Sequence, residues 1–359
     1  MRSFFFFFFF LFIVFDCLSK GFEFSEKIQI SKVGKTIHYP WGMSLLNEKQ
    51  LIITSKKGEI FLANIEKYDL KKIHEVKETN DFNQGGLLDI LFVKSESINN
   101  IFVCYYNKLD SDLVIAKYIL KTSKLLNKKV IFKSNFKNRN GKHFGCRLVN
   151  YKNSLLATLG DRGKRNNSQN PKNYPGSIVQ LSFNGKKLGH KNDVWLKGIY
   201  SIGHRNPQGL IYIKEFDEIW SHEHGPKGGD EINIIYKGSN YGWPMVTYGK
   251  EYWGGSIGDG NPKEGMTEPV WTWIPSIAPS GMDLYKNDYF KSLNNTLLIG
   301  SLKFKSLYGV KIENKRPSSE FVIFKNKIGR VRDVLVHPKG FILLLNDEYS
   351  GGLYKMEKK

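Results

Sequence analysis

Two polar stretches hold most of the residues that could do chemistry: Gly203-His204-Arg205-Asn206-Pro207-Gln208-Gly209-Leu210 and Glu223-His224-Gly225-Pro226-Lys227-Gly228-Gly229-Asp230-Glu231. In the first, Arg205 and Asn206 offer many hydrogen-bonding groups between glycines and a proline, which dictate a loop rather than a helix or strand. The second crowds an imidazole and three acids onto glycine-permitted backbone. Such density suits a ligand or metal site better than a bare surface turn. His143 is a further imidazole, able near its unperturbed pKa to take a proton from an alcohol. Arg330 and Arg332 alternate along a strand and so face one side of it, which by itself describes two solvated arginines.

Stepping outward, one pattern recurs along the chain: a short apolar strand, a polar turn, a second strand, then a loop. It appears at Gly42–Leu46 with Leu51–Thr54 and Glu59–Leu62, at Leu87–Phe92 with Ile101–Tyr105, and at Arg147–Val149 with Leu155–Leu159. It returns at Leu210–Ile213 with Glu218–Trp220, at Met282–Tyr285 with Leu297–Gly300, and at Val334–Val336 with Phe341–Leu345 and Gly352–Lys355. Period-two alternation and β-branched or aromatic content favour strands throughout. The units start roughly 45 to 70 residues apart, the interval of propeller blades with variable loops. The expected fold is therefore all-β, a six-bladed β-propeller of four-stranded antiparallel sheets, with a pair of sandwiches as the alternative. In a propeller the loops of one face converge on the central channel, so residues distant in sequence meet there.

The start of the chain has a different composition. Arg2 precedes an unbroken apolar run, Phe4–Phe15, and polar residues follow. That run would be about 18 Å long as a helix, short of the roughly 30 Å hydrocarbon core. Residues 1–19 are thus expected to be a secretory signal peptide, with no stable membrane span and export to the periplasm or medium. Lipid anchoring at Cys17 is the alternative, disfavoured by Asp16 beside it. Residues 20–359 are then expected to form a single six-bladed β-propeller domain, and 41% apolar with 14% aromatic residues supplies its core.

The formal charge of +20 raises the question of nucleic acid, but the lysines are dispersed rather than gathered on one stripe, which speaks against it. A basic field also favours anionic ligands. Cys104 and Cys146 lack metal-ligand spacing. Cys104 lies in an apolar strand and reads as a small packing hydrophobe, a Cys104–Cys146 disulfide being the alternative that export would permit.

Ten stretches, in order across nearly the whole mature chain, carry a resemblance: His38–Gly42, Asn83–Asp89, His143–Leu148, Thr158–Gly163, Gly203–Leu210, Glu223–Asn233, Asn240–Pro244, Pro275–Gly281, Gly300–Lys303 and Arg330–Val334. Together they resemble the soluble quinoprotein aldose and glucose dehydrogenases, whose six-bladed propeller agrees with the repeat. The resemblance implies pyrroloquinoline quinone (PQQ) and Ca2+ as cofactors, and an aldose sugar oxidised at C1 to a lactone, with electrons leaving to an external acceptor. It makes His143 the general base for the C1 hydroxyl as hydride passes to the quinone C5, with Asp161 holding the imidazole in its productive tautomer. Arg205 would favour the negative charge developing on the quinone oxygen. Asn206 and Gln84 would bond the ring's oxygens, Ser276 would stand in for a threonine, and Lys303, Arg330 and Arg332 would meet the cofactor's three carboxylates.

The same resemblance places a bridging calcium on the carbonyls of Gly225 and Pro226. A structural calcium would sit on Glu231, the Tyr241 carbonyl and Glu251, the last at a position that can be Asp in the family. The alternative reading of Glu231 is a plain salt bridge to a nearby lysine. The chain departs from the family at Cys146, where a small glycine is usual, and over Asn166–Tyr174. It lacks long insertions after Trp243, which points to the shorter aldose dehydrogenase type. Two rivals remain: a non-catalytic propeller binding a glycan or protein through its channel loops, and a lactonase-like metal hydrolase, which would want several acids around a central metal.

Overall fold

The strands follow from the alternation. A computed structural model describes residues 24–190, 194–259 and 263–359; the expected signal peptide and Cys17 lie outside the described residues. It contains six four-stranded antiparallel sheets. After β1 (Ile28–Val33), blade one is β2 (Pro40–Asn47), β3 (Gln50–Ser55), β4 (Glu59–Asn64) and β5 (Asp69–Glu75). Blade two is β6 (Leu87–Ser95), β7 (Ile98–Tyr106), β8 (Leu113–Lys121) and β9 (Lys124–Lys133). Blade three comprises β10 (Leu148–Tyr151), β11 (Ser154–Leu159), β12 (Ser177–Leu181) and β13 (Ile199–Ile202). Blade four comprises β14 (Pro207–Ile213), β15 (Glu218–Glu223), β16 (Asp230–Ile235) and β17 (Trp271–Trp273). Blade five has β18 (Pro279–Tyr285), β19 (Thr296–Ser301), β20 (Ser306–Glu313) and β21 (Arg316–Lys325). Blade six joins β22 (Val331–Val336), β23 (Ile342–Asn346) and β24 (Leu353–Lys358) to β1, which pairs antiparallel with β24 and closes the ring. Among the described residues the helical pieces are two short 3₁₀ turns, Arg165–Gln169 and Lys291–Leu293, and no helix is long and apolar enough to cross a membrane.

The six first strands β2, β6, β10, β14, β18 and β22 touch in sequence around the channel, and β22 touches β2 again. Five of them begin with four consecutive buried residues before inside-outside alternation sets in. That buried beginning is where each strand enters the channel. Carboxylates stitch neighbouring blades: Asp333 accepts the Met43 N–H at 3.0 Å, Asp89 that of Leu148 at 2.7 Å, and Asp283 that of Val336 at 2.8 Å. Each removes an orphaned amide from the inter-blade seam.

Arg147 plugs the channel. Its guanidinium bonds Asp89 at 3.1 Å and Asp333 at 3.0 Å, donates to the Gln208 carbonyl at 2.9 Å, and stacks 4.4 Å from the Trp41 ring centre. Five of the six blades meet at this one side chain.

Cys104 on β7 and Cys146 just before β10 are joined by a buried disulfide. The packing-hydrophobe expectation for Cys104 thus gives way to the alternative. A bridge over a 42-residue separation typically contributes about 2–4 kcal/mol by restricting the unfolded chain. It also ties the loop that carries His143 to the second blade.

Candidate active site

Antiparallel blades whose first strands start at the same end put two sets of loops on one face: those entering the first strand and those between the second and third. Both sets border a cavity of about 650 Å³. Trp41, Gln84, Gly145, Asn206, Ala278 and Arg330 come from the entries to β2, β6, β10, β14, β18 and β22. Lys56, His224, Lys303 and Asp347 come from the second set.

Four cations, Lys56, Lys303, Arg330 and Arg332, face one carboxylate in this cavity. Asp347 Oδ2 accepts from Arg332 Nη2 at 2.8 Å and from Arg330 Nη2 at 3.1 Å. Burial would raise the Asp347 carboxyl, but Arg332 and then Arg330 outweigh it and hold it at about 2. One anion shared between two guanidinium groups leaves an excess of positive charge, and the buried Nε of Arg332 has no partner. An anionic occupant would satisfy both.

His143 and Arg205 line an adjoining cleft of about 80 Å³ with Asp161, Trp243 and Glu251. The cleft and the larger cavity meet where His143-Phe144-Gly145 and Arg205-Asn206 pass from one to the other. His143 Nδ1 lies 2.7 Å from Asp161 Oδ1. Asp161 also accepts the Gly163 N–H at 2.7 Å and the Trp243 indole N–H at 2.9 Å. A carboxylate that accepts on both oxygens fixes the proton on Nδ1, so Nε2 carries the lone pair. The dyad therefore has the tautomer a general base requires.

The backbone around it is built for the purpose. His143 has φ of +49°, and its N–H donates to Gln84 Oε1 at 2.8 Å. A Cβ at Gly160 would lie 2.3 Å from the His143 carbonyl oxygen, so only glycine lets the two segments approach this closely. Asn206 Oδ1 accepts the Gly145 N–H at 3.2 Å, pinning the His143 loop to the Arg205 loop. Gln84 and Asn206 thus line the cavity as expected, yet their amide oxygens already serve the backbone. Their amide nitrogens are what remains for a ligand.

Arg205 is buried. Its N–H donates to Glu223 Oε2 at 2.5 Å and its Nη1 to the His224 carbonyl at 3.0 Å, while its ring-facing side lies 5.3 Å from the Trp243 ring centre. The Arg205 Nε is another buried donor without a partner. Glu223 in turn bonds His204 at 2.9 Å.

The remaining expected ligands are separated. The Ser276 hydroxyl donates to Asp230 at 2.6 Å and lines a neighbouring pocket, while Ala278 occupies the wall of the main cavity. Gly225, Glu231 and Tyr241 line an internal space of about 10 Å³, while Pro226 borders the His143 cleft. Glu251 does not join them: it pairs with Arg165 at 2.6 and 3.2 Å in the His143 cleft. Burial and the neighbouring Glu223 push the Glu231 carboxyl well up. Among the described residues no group of three or more His, Cys, Asp or Glu is arranged to hold a metal.

Lys56, Asp347, Trp41 and His224 line the cavity without standing out as single residues in the sequence. Burial, followed by the nearby Arg205 and Arg332, lowers His224 to about 4, so it is a neutral wall residue at neutral pH. The available signal was topological: Lys56, His224 and Asp347 all follow the second strand of a unit, as Asp161 does.

Fold and cleft together define a six-bladed propeller that sets an imidazole–carboxylate pair beside a cation-lined cavity. Residues 37–355 match the family described as Glucose / Sorbosone dehydrogenase, and the chain belongs to that family of sugar-oxidising oxidoreductases. It is 30% identical to the aldose sugar dehydrogenase YliI of Escherichia coli (strain K12) over 92% of this chain and 93% of that one. The crystal structure of the soluble E. coli aldose sugar dehydrogenase in its apo-form superposes with a TM-score of 0.86 at 30% identity, covering 93% of this chain and 100% of that one. The quinoprotein glucose dehydrogenase B of Acinetobacter calcoaceticus is 24% identical over 94% of this chain and 88% of its own.

Proposed function

We propose that residues 20–359 form the catalytic domain of an exported, PQQ- and calcium-dependent dehydrogenase that oxidises C1 of an aldose to the lactone and passes the electrons to an external acceptor. The observation that carries this reading is the His143–Asp161 dyad beside a cavity with four cations and a single, already shared carboxylate. A tricarboxylate fits that charge excess and the unpartnered Nε of Arg332 and Arg205. Lys303, Arg330 and Arg332 would hold its carboxylates, with Lys56 beside them, and the amide nitrogens of Gln84 and Asn206 would meet its ring oxygens. When bound, the quinone supplies the two-electron acceptor for the hydride leaving C1.

The chain's own part is proton and charge management. His143 Nε2 takes the proton of the C1 hydroxyl, a contribution of about 10²–10⁴-fold. Asp161 stabilises the imidazolium that results, and Trp243 and Gly163 keep Asp161 in place. Arg205 presents its guanidinium where negative charge develops, buried and pre-oriented by Glu223 and Trp243.

For the metal, Glu231 suits a cation: it is held against another carboxylate and faces a space of about 10 Å³, enough for one ion or water. The Tyr241 carbonyl would join it; Glu251, committed to Arg165, would not. Carbonyls of Gly225 and Pro226 need no acidic cluster to bind calcium. Export is supported by the Cys104–Cys146 disulfide, a bond that persists in oxidising compartments.

Purified protein given calcium and PQQ should bind the quinone in a titration and then reduce a redox dye with aldoses. Failure to bind the quinone would overturn the dehydrogenase reading in favour of a glycan- or protein-binding propeller.

A further inference from the structure

A second cavity, about 550 Å³, opens beside the cleft, and of its lining only Pro226 and Lys303 have a part in the reaction above. Its wall includes Lys227, Lys250 and Lys303, with the rings of Tyr248 and Tyr252, and no carboxylate. None of the three ammonium groups forms an ion pair among the described residues. The size is that of a small-molecule pocket.

Lys227 and Lys250 are exposed, and their backbones pair. Lys227 and Lys250 exchange both backbone hydrogen bonds, at 3.0 and 3.2 Å. A Cβ at Gly229 would lie 2.3 Å from the Gly249 nitrogen, so the two segments lie against each other. Tyr248 is fixed by a 2.6 Å bond from its hydroxyl to Glu268. Tyr252 is 72% exposed, an open aromatic face at the mouth.

The pocket also adjoins the chemistry. Tyr252 and Pro226 line both it and the His143 cleft, and Lys303 lines both it and the main cavity. A saccharide with its C1 hydroxyl at His143 would extend its next unit past Tyr252 into this space. Aromatic faces suit the apolar face of a sugar ring, and the ammonium groups of Lys227 and Lys250, which the reaction above leaves unused, suit an anion on it.

We propose that this pocket is a subsite for an acidic sugar unit, so that the enzyme prefers reducing-end oligosaccharides carrying a uronate next to the oxidised aldose. This inference rests on the dehydrogenase reading for its orientation, but the binding it predicts does not. Calorimetry of the apoprotein with a glucuronosyl-glucose disaccharide and with its neutral glucosyl-glucose counterpart tests the pocket directly. Tighter binding of the acidic sugar, on the order of five- to tenfold, is expected, shrinking at high salt and lost in Lys227→Gln/Lys250→Gln. In the loaded enzyme the same ratio should appear in kcat/KM, with glucose oxidation by the double variant unchanged. Equal binding of the two disaccharides by the apoprotein overturns the subsite. Absence of aldose oxidation with that preference intact would instead overturn the dehydrogenase reading and leave an acidic-glycan pocket.

Discussion

His143→Ala should lower kcat for aldose oxidation by about 10²–10⁴-fold while quinone affinity and unfolding midpoint stay near those of the unaltered protein. The separation of effects follows from the geometry. The imidazole is partly exposed in its own small cleft, whereas the cations of the main cavity come from blades one, five and six. Removing the ring therefore deletes the proton acceptor without touching the charges that would hold the cofactor. Asp161→Asn is the sharper companion. An amide whose N–H2 points at Nδ1 would move the ring proton to Nε2, leaving the imidazole present but unable to accept. Steady-state turnover with a quinone titration on the same samples decides the matter. If His143→Ala kept turnover within a few-fold, the base would have to be another group.

The second large effect is on stability. Arg147→Met should destabilise the fold by about 3–5 kcal/mol in urea unfolding, because it strands two buried carboxylates that now share one cation. Burial raises the Asp333 carboxyl, Arg147 opposes that and Asp89 adds to it, for a value of about 7; the Asp89 carboxyl is raised too, again by burial first. Without Arg147 both would rise further. A carboxyl whose folded pKa exceeds its unfolded one favours the fold at low pH, and that benefit is lost as pH climbs through the folded value. The variant's deficit should therefore widen as pH rises above about 7, where Asp333 of the intact protein loses its proton and that of the variant still holds it. A pH-independent deficit would mean the loss is one of packing over Trp41 rather than of charge.

The sequence showed the blades because their first two strands alternate and are bounded by Gly, Asn and Lys turns. The outer strands were harder to read. β5 and β9 are Lys-rich with few buried residues, so their apolar periodicity is faint, and β21 opens on the polar run Arg316–Glu320. β1 pairs with a strand more than 300 positions away, a contact no local pattern announces. In the site, His143, Asp161, Arg205, Asn206 and Arg332 come together as their motifs implied. Ser276 lies in the neighbouring pocket bonded to Asp230, and Glu251 lines the His143 cleft, paired with Arg165 instead of standing beside Glu231 and Tyr241. Lys56 and Asp347 went unnoticed since a lone lysine or aspartate in a loop looks like solvated surface. Only the ring's topology shows that they point inward from the same end.

The seam between β1 and β24 brings the two ends of the propeller to one place: the Lys359 N–H donates to the Lys27 carbonyl at 3.0 Å. A short linker could fuse them, and new termini could be cut at the exposed Glu96-Ser97 hairpin tip, far from the catalytic face. Such a circular permutant should fold to the same six-bladed propeller, with a circular dichroism spectrum matching that of the unpermuted protein. Its seam would then be covalent, so the first and last strands could no longer part there independently of the rest of the ring.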